Sequence, residues 1–348
     1  MDFDMMKKAF RASSYFLIPF LLLSSIGTTG CGSSEEGDAS GDRRFLSVGT
    51  APPGGAFFVV GGAIAQVVSD NVTALQWEVS AEATKGTQEN IRRLSGGALD
   101  FALANAAISY FAVRGEGAWE RTYPIRTVMT LAPNVALFIT PKSSGVKTIA
   151  DLKGKRVTVG PAGAGFEYFL EPILNAHGVT YDDFTPLHNT QAGAVDMLAD
   201  GSAAAAFLGG AVPTASITQA CASQDIHFIL FEEEAKQSLI ETYPFFESAT
   251  IPANTYRGQN EPFHGLNVGS MHLITFAEVD DETVYQFTKT LYEHREDVVQ
   301  KHPAGKAINA KNIVKDTGTP FHRGAIHYYK EIGIWPEGSA TASNSAGR

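Results

Sequence analysis

A chain of 348 residues is long enough for two domains of ordinary size, and 44% apolar with 18% charged residues describes a packed globular protein. The formal net charge of −10, with no Lys/Arg cluster to offset it, argues against a nucleic-acid partner. Two cysteines, Cys31 and Cys221, suggest neither a disulfide framework nor a zinc site.

Residues 1–30 read as a targeting segment. Lys7, Lys8 and Arg11 form a basic region, Tyr15 to Ile26 an apolar one, and Thr28-Thr29-Gly30 places small residues ahead of Cys31. This resembles a bacterial lipoprotein signal, cut before Cys31 and lipidated there, which would tie the protein to a membrane. Thr28 departs from the usual Leu of that box, and a plain secretory signal cut nearby is the alternative. The apolar run is short and interrupted by Pro19, which disfavours a permanent membrane span. Residues 31–44, rich in Gly, Ser, Asp and Glu, read as a flexible tether. With Cys31 lipidated, Cys221 is a lone thiol and reads as a small buried apolar residue.

Strand-like and helix-like stretches then alternate to the end, which indicates α/β architecture. Phe45 to Val48 reads as a strand. It runs into the Gly/Pro loop Gly49 to Gly55 and a small-residue helix starting near Gly55. A strand, a glycine-rich turn and a helix N-terminus in sequence make an anion site, because first-turn N–H groups point outward and the helix dipole adds positive charge. The pattern is neither GxGxxG nor GK[ST], so it is no dinucleotide or P-loop fingerprint. An ordinary turn between strand and helix is the alternative.

Ala74 to Ser80 is expected as a strand, and Thr87 as the cap of a helix carrying Ile91 and Leu94. Leu99 to Leu103 is a short strand with Asn105 at its carboxyl end, where open α/β sheets bind ligands. Ile125 to Leu131 and Val135 to Thr140 are strands split by Pro133-Asn134. Gly145 to Gly160 reads as a short capped helix, a turn and a strand. Pro161 to Phe166 repeats the glycine-turn logic, and Phe169, Ile173 and Leu174 share one face of the helix that follows. Gln191 to Leu198 is a helix and Ala203 to Leu208 a buried strand that leads into Gly209-Gly210, with Pro213 early in a helix. Ile226 to Phe231 is a strand. Leu266 to Phe276 reads as one long return strand, and Asp280 to Gln300 as one helix with Val284, Phe287, Leu291 and Val298 as its core stripe. Residues 338–348 form a polar tail.

Other chemistry finds little support. Among nine histidines, neither the His264/His272 nor the His322/His327 pair has HExxH or i,i+4 spacing, so no metal is expected. His322 reads as a helix-start residue, Glu232 to Glu234 as a solvated helix start and Asp182-Asp183 as a cap or turn. There is no GxSxG elbow, nothing selects a carboxylate pair, and the chain reads as a non-enzyme without a cofactor.

Several segments together resemble one family. They are Gly54 to Phe58 with Gly61 to Ala65, Thr84 to Asn90, Asp151 to Val157, the turn Gly160 to Gly165, and Pro320 to Gly333. The combination resembles the TAXI solute-binding proteins, substrate receptors of TRAP transporters. The resemblance implies a two-lobed periplasmic-binding-protein fold of type II-like α/β class with a ligand cleft between lobes. Lobe I would comprise residues 45–131 with about 266–337, and lobe II residues 132–265. It also implies a periplasmic or envelope location, a small organic acid as ligand and a TRAP-type membrane permease as partner.

Carried over residue by residue, the resemblance assigns ligand contacts to Gly55, Ala56 and Phe57, to Thr84, Thr87 and Asn90, and to Asn105; Lys85 and Gly86, between Thr84 and Thr87, are further candidate contacts. In the second lobe it assigns Ala162, Gly163, Ala164, Gly165 and Phe166, then the turn at Gly209, Gly210, Val212 and Pro213. Backbone N–H groups, hydroxyls and an amide suit a carboxylate without a full counter-charge. Where the family often carries Ser-Gly-Thr, this chain has Ala164-Gly165-Phe166. Phe57 and Phe58 replace tyrosines, and Lys85 replaces a glycine. These departures imply a less polar pocket and an acid with an apolar or aromatic body. Phe166 either walls that ligand or packs beneath its loop, and Lys85 either meets the ligand or stays in solvent. An ABC-importer receptor of the same fold and a lipid-anchored ligand sensor are the alternative readings of function.

Overall fold

The computed structural model describes residues 43–336 apart from Gly54. The expected signal segment, lipidation at Cys31, most of the tether and the polar tail lie outside the described residues. No helix among the described residues is long and apolar enough to cross a membrane.

Two sheets organise the chain. The first is built from β1 (Arg44–Gly49), β2 (Trp77–Glu82), β3 (Phe101–Asn105), β4 (Ile125–Thr130) and β12 (Met271–Phe276), in the order β2-β1-β3-β12-β4. The second holds β5 (Val135–Pro141), β6 (Arg156–Thr158), β7 (Thr185–Leu187), β8 (Ala205–Gly210), β9 (Ile226–Ile229), β10 (Phe246–Ile251) and β11 (Phe263–Val268). Its order is β10-β11-β5-β8-β6-β7, with β9 also on β5. β1, β2 and β3 are parallel, joined by α1 (Ala56–Asn71) and α2 (Thr87–Ser95), and β12 enters antiparallel. Both faces of β3 and β5 are covered, and every residue of these two strands is buried.

The remaining helices are α3 (Ala106–Arg114), α4 (Glu167–Ala176), α5 (Gln191–Ala199), α6 (Ala215–Ser223), α7 (Glu233–Thr242), α8 (Asp281–Glu293), α9 (Arg295–Lys301) and α10 (Arg323–Glu331). Phe169, Ile173 and Leu174 of α4 are buried, as their spacing predicts, and so are Val284, Phe287, Leu291 and Val298. His322 caps α10, its Nδ1 accepting from the Gly324 N–H at 3.2 Å. Cys221 is buried.

The chain passes between the sheets at Leu131 to Asn134 and again at Gly269-Ser270. The two crossings are bonded to each other: Leu131 N–H donates to Met271 O at 2.7 Å, Met271 N–H to Ala132 O at 2.9 Å, and Val268 N–H to Asn134 O at 2.9 Å. The single return strand expected from Leu266 to Phe276 is therefore two strands in different sheets. Gly269 breaks it with φ +107°, and a Cβ there would lie 2.6 Å from Asn105 Oδ1, so only glycine fits. The long helix expected from Asp280 is likewise two, parted at His294. β2 begins at Trp77 because Thr73–Leu75 forms a 3₁₀ turn ahead of it. The helix expected near Ala150 is a three-residue 3₁₀ turn, Ala150–Leu152.

Candidate functional site

The polar residues of the first lobe converge on one another. Thr50 O at the end of β1 accepts from Thr84 Oγ1 at 3.0 Å and from Asn90 Nδ2 at 2.7 Å, and the same amide reaches Leu103 O at 2.8 Å. Thr84 Oγ1 in turn accepts the Gly86 N–H at 3.1 Å. Thr87 Oγ1 accepts the Asn105 N–H at 3.0 Å. Asn105 caps α3, its Oδ1 accepting from Ala107 N–H at 2.9 Å, while its Nδ2 donates to Gly269 O at 2.9 Å in the crossing strand. All five residues, Thr50 included, are buried. Apart from the bonds of Asn105 Nδ2 to the crossing strand, their hydrogen bonds run to lobe I backbone, so they brace the loop ends of β1, β2 and β3. Thr87 is the first residue of α2, not its cap; Gly86, at φ +121°, takes that place.

Gly55 caps α1 through its carbonyl, which accepts the Phe58 N–H at 3.1 Å. Ala56 and Phe57 begin the helix, half-buried against the lobe I core. Gly55, Gly86 and Phe166 open α1, α2 and α4 without a side-chain cap, which leaves first-turn N–H groups for other partners. Lys85 is exposed, and its N–H donates to Glu89 Oε2 at 3.0 Å.

Lobe II approaches these loops through its own glycines. A Cβ placed on Gly86 would lie 3.6 Å from Ala164 Cβ, and one on Gly210 would lie 4.0 Å from Ala56 Cβ. On Gly165 it would come within 2.9 Å of Ile108 Cδ1. Gln88 Nε2 crosses between lobes to Glu167 Oε1 at 3.3 Å. Ala162 and Gly163 are exposed at the tip of their turn, while Ala164 and Gly165 are buried. Phe166 lies over Gly160, where a Cβ would fall 2.3 Å from ring atom Cδ2, and packs on Phe169 with ring centroids 5.1 Å apart.

The Gly209 backbone is gripped by Gln191, whose Nε2 donates to Gly209 O at 2.8 Å and whose Oε1 accepts from Ser216 Oγ at 2.8 Å. Val212 and exposed Pro213 follow; the helix starts only at Ala215, capped by Thr214, so Pro213 lies outside it. Thr214 N–H donates to Tyr256 Oη at 2.8 Å, and burial pushes that phenol above its usual range. Val212 also lines a cleft of about 370 Å³ beside the crossing strands, with Pro133, Glu247, Asn267 and Pro303. The other expected contact residues do not line that cleft. Thr50, Gln88, Ile108 and Gln191 were missed from the sequence. Thr50 stands in the Gly49 to Gly55 loop and the other three outside any glycine turn, and the roles of all four come from partners 18 or more residues away.

Two sheets joined by paired crossings, with the loop ends of both facing each other, define the periplasmic-binding-protein fold in its two-lobed α/β form. It resembles a solved protein of Bordetella bronchiseptica RB50 at 14% identity over 85% of this chain and 91% of that one, with a TM-score of 0.52. A binding-protein component of an ABC phosphonate transporter from Pseudomonas aeruginosa aligns at 11% identity, over 75% and 79% of the two chains, with a TM-score of 0.50. The alkanesulfonate-binding protein SsuA from Xanthomonas axonopodis pv. citri, bound to MOPS, aligns at 16% identity over 84% of each chain with a TM-score of 0.48. The chain belongs to the NMT1-like family, whose model matches residues 48–333.

That membership corrects the resemblance drawn from the loop segments. The family is the NMT1-like one rather than the TAXI family, and the transporter component among the solved structures is of ABC type. The TRAP-type permease falls with that assignment. The physical reason is that strand, glycine turn and helix N-terminus recur wherever an α/β fold presents a backbone anion site, so such segments indicate the fold before the family.

Proposed function

We propose that this protein is an extracytoplasmic solute-binding protein that holds a small organic anion between its lobes and serves an ABC-type importer. The observation that carries this reading is the approach of the uncapped starts of α1 and α2 to the glycine turn before α4 and to Gly210. In this reading Gly55 to Phe57, Lys85 to Thr87, Ala162 to Phe166 and Gly209 to Pro213 surround the ligand. Thr84, Asn90 and Asn105 hold the lobe I loops in place. Backbone N–H groups and helix dipoles supply partial positive charge.

The charge balance narrows the ligand. Lys85 is the one cation among the proposed contacts, and Glu89 and Glu167 stand in the first turns of α2 and α4. Two carboxylates beside two helix starts offset part of each dipole, which disfavours a dianion and suits a singly charged acid with an apolar body. A ligand touching both lobes binds the closed form better and stabilises it. Periplasmic binding proteins share this fold, and the likeness to an ABC-transporter component supports the importer over a signalling partner.

Native mass spectrometry before and after mild denaturation tests the reading. Release of an intact, singly charged organic acid is the expected result. Release of a phosphonate dianion overturns the charge argument. Recovery of a chemically altered ligand, or no thermal shift with any carboxylate, sulfonate or phosphonate, overturns the solute-binding reading.

A further inference from the structure

We propose that Phe111, Trp119 and Tyr168 form an aromatic latch between the lobes that holds the protein closed without ligand. Phe111 lies on α3 and Trp119 in the segment between α3 and β4, both belonging to lobe I. Tyr168 lies on α4 of lobe II. The Trp119 and Tyr168 rings stack with centroids 5.7 Å apart at 22°, and Phe111 meets Tyr168 at 5.6 Å. Phe111 continues the seam to Tyr243 at 6.0 Å and Phe245 at 5.9 Å, both in lobe II between α7 and β10. The Arg92 guanidinium lies 5.2 Å from the Trp119 ring centroid, extending the stack.

Lobe I is shaped to receive the tyrosine. Gly117 has φ +67°, and a Cβ there would fall 2.8 Å from Tyr168 Cε1, so the ring sits where a side chain would be. Trp119 is 4% and Tyr168 5% exposed, so opening the lobes uncovers large apolar rings. The seam also carries a built-in weakness. Trp119 Nε1 is buried with no hydrogen-bond partner among the described residues. Opening hydrates it, which offsets part of the cost of exposing the rings. The latch therefore favours closure through ring packing and limits that preference through one unsatisfied polar atom.

Small-angle scattering of the full chain tests this, after unfolding and refolding to strip any co-purified molecule. The stripped wild type is expected to have the radius of gyration of the closed form, with the Trp119–Tyr168 stack made. Tyr168→Ala is expected to shift the radius of gyration upward, and Tyr168→Phe to stay compact, since it keeps the ring. An expanded stripped wild type, or a Tyr168→Ala protein as compact as wild type, overturns the latch. Should Tyr168→Ala fail to fold, Phe111→Ala replaces it with the same expected expansion, and an expanded Tyr168→Phe protein overturns the assignment of the latch to ring packing. No ligand enters these measurements, so the solute-binding reading and the latch fail separately.

Discussion

The two sides of the cleft solve one problem by different physics. Lobe I holds its loops with a buried polar network. Thr84, Asn90, Thr87 and Asn105 bond to its own backbone, and behind them His272 Nε2 meets Ser109 Oγ at 2.8 Å. Lobe II holds its turn with backbone conformation. Gly160, Gly163 and Gly165 have φ of +92°, +75° and +91°, and an aromatic ring lies beneath. The two glycine-rich segments look alike in sequence. In the first, glycine serves close packing: Gly61 stands where a Cβ would lie 2.4 Å from Thr50 Cγ2. In the second, glycine serves the turn itself. A polar network is sensitive to losing a donor or gaining a proton, whereas a glycine turn is sensitive to gaining a Cβ.

The largest effect is expected in lobe II. Gly160→Ala adds a side chain at positive φ and drives it into the Phe166 ring, and should cost about 3 kcal/mol in urea unfolding. Gly163→Ala meets nothing within 4 Å and carries only the backbone penalty, about 1 kcal/mol. Equal losses at the two positions would mean that the ring does not contribute.

Asn90→Ala should cost about 2 kcal/mol, because it removes both amide donors from buried carbonyls of β1 and β3. A loss below that of Gly163→Ala would break the contrast between the lobes.

Acid gives a graded test of lobe I. Burial pulls the His272 pKa down to about 3, and burial also lowers His302 and His322. The folded state keeps His272 neutral while the unfolded chain takes a proton near pH 6.5. Stability should therefore be complete above that pH and fall as pH drops toward 3, by at most about 1.4 kcal/mol per pH unit from this residue. Thermal midpoints from pH 7.5 to 4.5 measure it. His272→Gln should flatten the slope, and an unchanged slope would remove His272 as its cause.

What the amino-acid order determined by itself was local. Period and punctuation specified α1, α4 and α5, the buried stripes of α4 and α8, and the caps at Asn105 and His322, because each depends on neighbours a few residues apart. The presence of two glycine turns ahead of helices was legible for the same reason. The tertiary structure decided the rest. Leu266 to Phe276 reads as one strand because β propensity carries no record of which sheet a strand joins; the bend at Gly269 exists because Asn105, far away in sequence, occupies the space a side chain would need. The same distance dependence explains why Gln88, Gln191 and the Trp119–Tyr168 stack went unseen, since their partners come from other elements and, for Gln88 and the stack, from the other lobe. It also explains the family correction: short loop segments report a local anion-site geometry, whereas membership rests on the whole span from residue 48 to 333.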